Sequence, residues 1–281
     1  MLQSALDHYR AEQRITAAGL VAARRRRFGT LPELLRTVVS FQLLAAQEAV
    51  RAVEPMLDEQ NIDAPPEATT RVAPLLGQAS DGRPLAGLLE FTRSRFATSA
   101  QFDRIVATQL QDVARQAAAI EMATRPKVTT YTRMLNPPSC ARCAILAGRE
   151  YRKNAGFQRH PRCDCRAIPT VEVAAGDLVT DPRVYFDSLS PADQGRIFTQ
   201  AGAEAIRRGA DIGKVVNARR GMSRAQSGRL ERRDFRGRQI YTTTEGSAGK
   251  GRVRLMPESI LEMAEDEADA LRLLRVHGYI T

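Results

Sequence analysis

All four cysteines of this 281-residue chain lie within one short window. The window reads Cys140-Ala-Arg-Cys143, then sixteen further residues, and then His160-Pro-Arg-Cys163-Asp-Cys165. A C-x2-C pair places two thiolates on one tight turn, which fills half of a tetrahedral zinc site. His160 with Cys163 or Cys165 would supply the other half. The spacing therefore predicts a structural zinc site, with one candidate ligand to spare among Cys140, Cys143, His160, Cys163 and Cys165.

Ordinary buried or disulfide-bonded cysteines are the alternative to a metal site. Clustered cysteines in a chain without a secretory signal favour a reducing compartment and metal binding. The N-terminal residues lack a charged lead followed by an apolar block, so no signal peptide is expected. No apolar run approaches the roughly 18–20 residues that span a bilayer, so no membrane partner is expected.

Catalysis at the cysteine window is not expected. A zinc hydrolase needs three protein ligands, an open coordination position and a nearby carboxylate base, whereas five ligands crowd this site. Neither H-E-x-x-H nor the deaminase pattern occurs. The alternative is a zinc-dependent nuclease, which would need a second histidine as its general base. Only His8 and His277 remain, and we expect both on helix surfaces.

The positive charge of the chain is concentrated in one stretch. The net charge is +10, and residues 207–238, here called the basic segment, hold eleven Lys or Arg against three acids. Such a cluster predicts non-specific binding to a polyanion such as DNA, although a merely basic soluble surface is the open alternative. Sparse aromatics and the absence of Trp argue against a base-stacking platform. The candidate DNA-binding residues are Arg207, Arg208, Lys214, Arg219, Arg220, Arg224, Arg229, Arg232 and Arg233.

Apolar periodicity and capping residues predict the fold class. Residues 4–28 indicate one helix, Thr30 caps a second, and an apolar stripe from Phe102 to Ile120 indicates a third. An alternating β-branched stretch after Pro126 indicates a strand. We therefore predict an α+β protein with an N-terminal helical region, then a mixed domain holding a small zinc-stapled module and a small sheet. Its divisions are 1–126, 127–170 and 171–281.

Two further helices are predicted in the last third of the chain. Ser190, Pro191 and Asp193 have the form of a capped helix start, and we expect that helix to continue to about Gly209. Residues 257–276 carry apolar side chains at helical spacing and predict one final helix. Gly278 lies just beyond its end, as is typical of a C-terminal cap.

Several other residues extend the cysteine pattern into a longer signature. Residues 144–151 form a short hydrophobic-Gly-aromatic segment, and residues 156–165 end in H-P-R-C-D-C. Residues 185–194 add an F-x-x-L…Q element, followed by the stretch 211–222. Together these features resemble the phage Mu F-type (MuF-like) minor capsid and head morphogenesis proteins of tailed phages of actinobacteria. The resemblance covers residues 127–222 well and the rest loosely.

The resemblance implies a virion component in the capsid interior, present in few copies and found in the host cytoplasm during assembly. Its implied partners are the portal protein, the major capsid protein and packaged DNA, with the N-terminal helices meeting the portal or another partner. The implied role is head morphogenesis and DNA packaging or ejection. Some members carry a fused enzyme domain, but no such addition is recognisable here, and the competing function is a zinc-dependent nuclease acting on phage or host DNA.

Overall fold

A computed structural model describes most of the chain, which folds into two compact units. The first unit comprises Met1–Pro137 and Ala147–Thr180, and the second comprises Pro138–Leu146 and Asp181–Thr281. The α+β class is confirmed: helices predominate, and the strands form small antiparallel sheets. The three-part division expected from the sequence stays a prediction. The described residues are 2–94, 97–135, 139–156, 165–171, 181–225, 232–233, 239–246 and 253–281.

The first unit begins with two long helices, as predicted. Helix α1 spans Gln3–Arg26 and α2 spans Leu31–Asp58. The turn between them ends in a capping box, in which the Thr30 hydroxyl accepts from the Glu33 amide and the Glu33 carboxylate accepts from the Thr30 amide. Two otherwise unsatisfied backbone donors are thereby paired, which fixes the start of α2.

Helix α4, Ser99–Ala123, packs along both α1 and α2 and completes the helical core. Phe102, Val106 and Leu110 of its predicted apolar stripe are buried in that core. Gly19 permits the close approach of α1, since a Cβ there would lie 2.6 Å from the Leu110 side chain. Ile120, the last member of the stripe, is instead 37% exposed, whereas Met122 two residues later is buried with Val53 and Leu57 of α2.

One short helix of the first unit was not anticipated from the sequence. Helix α3 spans Leu85–Arg93, beyond the weakly patterned stretch near Pro84. It contributes Leu85 and Leu89 to the same buried cluster. Arg27 at the end of α1 is buried beside it and donates to the carbonyls of Thr92 and Ala97. None of the described helices is long and apolar enough to cross a membrane.

A three-stranded antiparallel sheet closes the first unit. Its strands are β1 (Thr130–Met134), β2 (Glu150–Arg152) and β3 (Arg166–Thr170). They lie in the order β2-β1-β3. The predicted strand after Pro126 is confirmed as β1, although it begins at Thr130. Met134 and Ile168 pack with Ala5, Ala52 and Met56, so the sheet shares a core with α1 and α2.

The second unit is built from short helices and two-residue strands. Its helices are α5 Ala141–Ala144, α6 Pro182–Ser188, α7 Pro191–Phe198, α8 Gln200–Arg207, α9 Ile212–Ala225, α10 Pro257–Met263 and α11 Glu267–Val276. Strands β4 Arg232–Arg233 and β5 Gln239–Ile240 form one antiparallel pair. Strands β6 Thr242–Thr243 and β7 Arg254–Leu255 form another.

Two helices that the sequence predicts as continuous are each interrupted in the second unit. The helix starting at Ser190 ends at Phe198, because Thr199 takes a positive φ of 70° and its hydroxyl caps the next helix. The final helix breaks at Ala264, which is extended, and Asp266 caps α11 by accepting from the Asp269 amide. The apolar side chains keep their helical spacing across both interruptions, so the spacing gave no sign of the two breaks. Gly278 has the positive φ expected of a C-terminal cap.

Candidate metal and nucleic-acid sites

Cys140 and Cys143 are brought together at the start of the short helix α5. Cys140 is its N-terminal cap residue and is exposed, whereas Cys143 is buried. Their sulfur atoms lie 3.5 Å apart, well beyond the roughly 2.05 Å of a disulfide bond. Two thiolates at about 2.3 Å from a tetrahedral zinc ion would be about 3.8 Å apart. This pair therefore fits half of the predicted metal site.

Tyr185 of α6 holds the turn that precedes this pair. Its hydroxyl accepts from the Ser139 amide at 2.8 Å and donates to the Ser139 carbonyl at 2.9 Å. Burial raises the pKa of Tyr185, so the phenol stays neutral and can serve both roles at neutral pH. Phe186 packs edge-on against Phe198, which fixes α6 in turn. Sequence spacing gave no signal for this role of Tyr185.

The remaining predicted ligands are placed only in part. Cys165 is buried immediately before β3 in the first unit, and its carbonyl accepts from the Arg115 and Arg166 guanidinium groups. His160 and Cys163 lie outside the described residues. Within the part of the chain that the structure describes, no group of three or more His, Cys, Asp or Glu is placed to hold a metal ion. The full ligand set stays a prediction.

The other two histidines are buried, so the expectation of surface positions was wrong. His8 faces the packed side of α1, with Nδ1 3.5 Å from Glu48 Oε1 and Nε2 3.7 Å from Glu12 Oε1. The hydrogen bond from His8 lowers the pKa of Glu48. His277 ends α11, and its Nδ1 accepts from the Leu255 amide at 3.2 Å. Each imidazole has a polar partner that compensates for burial.

Three arginines proposed to bind DNA already pair with acids. Arg207 contacts Glu204, and Arg208 contacts both Glu204 and Glu267. The hydrogen bond with Glu267 is the main cause that raises the pKa of Arg208. Arg219 contacts Glu258 of α10. Part of the charge counted in the basic segment is therefore neutralised locally.

Lys214 and Arg220 of α9 form no ion pair with any described residue, and Arg220 is exposed. The opposite side of α9 carries the buried Val215 and Ala218, so the helix is anchored while Arg220 faces outward. The structure does not describe Arg229 or the side chains of Arg224, Arg232 and Arg233. Arg232 and Arg233 form β4 through their backbone. Among the candidate DNA-binding residues whose side chains the structure describes, Lys214 and Arg220 are therefore the two without an acidic partner.

Comparison with known proteins gives one informative result. The sequence model of the VG15 protein family matches residues 4–190, which is more than half of the chain. The chain belongs to the VG15 protein family. This family is a phage-associated family of viral gene proteins. The chain is therefore a phage protein that is related to the virion. No curated protein matches it. No solved structure matches it either.

The VG15 match spans features of both units. It covers helices α1 to α4, the three-stranded sheet, the Cys140–Cys143 pair and Tyr185, and it ends at the Ser190 cap. The basic segment lies beyond the matched residues. Family membership therefore bears on the helical core and the cysteine window, whereas DNA binding has to be argued from charge and exposure alone.

Proposed function

We propose that this VG15-family chain is a MuF-like minor capsid protein of a tailed phage or prophage, acting in head morphogenesis and DNA packaging or ejection. The family match over residues 4–190 carries the proposal. The signature C-x2-C…H-P-x-C-x-C supports the finer assignment. The portal protein and major capsid protein are its proposed partners, the long helices of the first unit offer the surface for them, and the capsid interior is its proposed location.

We propose that the cysteine window holds a structural zinc ion and has no catalytic role. The 3.5 Å separation of the Cys140 and Cys143 sulfurs supports two thiolate ligands. Cys165, His160 and Cys163 are the candidates for the remaining positions. A bound zinc ion would supply folding free energy, because its ligands converge only in the folded chain.

The competing function is a zinc-dependent nuclease on phage or host DNA. Its general base would have to be a histidine other than His160, and both candidates are buried with polar partners. Incubation of plasmid DNA with the protein and Mg²⁺, Mn²⁺ or Zn²⁺ is expected to leave the DNA intact. Metal-dependent cleavage that is lost in His8→Ala or His277→Ala would instead establish the nuclease.

Binding of duplex DNA is expected to be non-specific and to weaken steeply with salt. Each phosphate neutralised by Lys or Arg contributes about −0.9 to the slope of log K against log salt concentration. Replacing the exposed Arg220 with alanine is expected to make this slope shallower by about 1. Fluorescence anisotropy with a labelled duplex, repeated over a series of salt concentrations, measures the slope directly.

Arg10→Ala is the matched control for Arg220→Ala. Arg10 is also an exposed helical arginine, but it lies on α1 of the first unit and pairs with Asp7. The control removes the same charge from the chain and is expected to leave the slope unchanged. Equal changes in the two variants would show that only net charge matters, and salt-insensitive binding would contradict the proposed DNA contact.

A further inference from the structure

A cavity of about 260 Å³ lies within the first unit, apart from the cysteine pair and the basic segment. Its walls come from α1, α4, β1, β3 and the turn that follows β2. A volume somewhat below the roughly 300–1,000 Å³ of drug-sized sites suits a small ligand.

One wall of the cavity carries a buried carboxylate with unused hydrogen-bonding capacity. Glu12 is 3% exposed, and its Oε2 accepts from Arg166 on β3. Its Oε1 lies 3.7 Å from His8 Nε2 and accepts no hydrogen bond. A buried carboxylate oxygen without a donor is costly, so a ligand N–H or O–H at this point would be stabilised.

The turn after β2 brings a cation to the cavity. Lys153 is half-buried, and its ammonium donates to the Arg125 carbonyl at 3.3 Å. A lysine ammonium has three donors, so this bond leaves two of them for other acceptors. The guanidinium groups of Arg115 and Arg166 also line the cavity. Arg115 pairs with Asp112 and Arg166 pairs with Glu12, so the charge of Lys153 is the one that favours an anionic ligand.

The rest of the described wall is largely apolar. Ala118, Ala119 and Met122 of α4 form one side. Tyr131 of β1 forms part of another and is held flat by stacking on Tyr151, with ring centroids 5.4 Å apart. Small side chains on α4 facing an immobilised ring leave room for a flat apolar body, whose burial would be favourable at about 25 cal/mol per Å².

We propose that this cavity is a binding site for a small organic anion with a flat apolar body and one hydrogen-bond donor. The anionic group binds Lys153, the apolar body lies against Ala119 and Met122, and the donor reaches Glu12 Oε1. This combination of a few polar groups in an otherwise apolar concavity is typical of small-molecule sites. The site is distinct from the Cys140–Cys143 pair and from the basic segment.

Anilinonaphthalene sulfonate is a suitable probe, because it combines a sulfonate, fused and single aromatic rings and one N–H. Titration into the full-length protein at neutral pH is expected to give a saturable fluorescence increase with one site per chain. Lys153→Glu is expected to weaken binding by about tenfold or more, since attraction becomes repulsion. Ala119→Trp, which fills the cavity from an exposed position on α4, is expected to abolish the single-site signal.

Each variant has a matched control on the same unit. Lys127→Glu makes the same charge change at an exposed lysine paired with Asp63. Ala100→Trp makes the same size change at an exposed residue near the start of α4. Both controls are expected to bind the probe like the parent protein. Far-UV circular dichroism and a cooperative thermal transition verify that every variant is folded.

Three results would overturn the proposed site. The first is an absence of saturable probe binding to the parent protein, and the second is probe binding at several equivalent sites per chain. The third is an equal loss of probe affinity in the variants and in their controls. Ala119→Trp keeps the test decisive if Lys153→Glu fails to fold, because Ala119 is exposed and its replacement removes no buried contact.

Discussion

Replacing Cys140 with serine is expected to release zinc and to lower the free energy of unfolding by several kcal/mol. The reason is that structural zinc supplies about 10–16 kcal/mol of apparent binding free energy in zinc-finger peptides. Cys140 is exposed, so the loss cannot be attributed to a buried cavity left by its side chain. Urea denaturation followed by circular dichroism, with zinc content measured by mass spectrometry on the same samples, checks the expectation.

A chelator separates the contribution of the metal from that of packing. Removal of zinc from the parent protein is expected to lower stability about as much as Cys140→Ser does. The same chelator added to the variant is expected to have no further effect, because the site is already broken. Parent protein that contains no zinc, or a variant as stable as the parent, would contradict the structural zinc site.

Arg125→Ala is expected to destabilise the first unit by about 3–5 kcal/mol, since it leaves the buried Glu121 carboxylate without its charged partner. The Arg125 and Glu121 side chains are only 4% and 6% exposed, and two guanidinium nitrogens donate to Glu121 Oε1 at 2.8 and 3.0 Å. A third contact reaches the Ala64 carbonyl at 2.7 Å, so the side chain also ties the chain after α2 to the end of α4. Chemical denaturation of the purified variant measures the loss.

Glu54→Ala is the matched control for Arg125→Ala. Glu54 pairs with the same guanidinium at 3.2 Å but is 63% exposed, so its removal is expected to cost less than about 1 kcal/mol. The double variant Arg125→Met with Glu121→Gln removes both buried charges and is expected to recover part of the loss. Similar costs for Arg125→Ala and Glu54→Ala would show that burial does not govern this ion pair.

The long elements of the first unit could be predicted because their signals are local and strong. Thr30 with Glu33 marked the start of α2, and the stripe beginning at Phe102 marked α4. Helix α3 was missed because nine residues give too few turns for a periodic pattern. The breaks at Thr199 and Ala264 were missed because a single residue changes the backbone while the apolar spacing continues.

In the candidate sites, too, features set by residues close in sequence could be predicted, whereas features set by residues distant in sequence could not. The C-x2-C spacing predicted that two sulfurs would meet, and Cys140 and Cys143 do. Burial of His8 could not be predicted, since its partner Glu48 lies on a different helix. The pairing of Arg208 with Glu267 likewise joins residues distant in sequence, so a count of charges overstated the cations available to DNA.

Quantitative mass spectrometry of purified phage particles is the most direct measurement of the central proposal, that this VG15-family chain is a minor capsid protein. Particles freed of unassembled protein on a density gradient are expected to contain the chain at a few copies for every full complement of major capsid protein. Its absence from mature particles and from assembled precursor heads, despite expression in the infected cell, would contradict a role as a virion component.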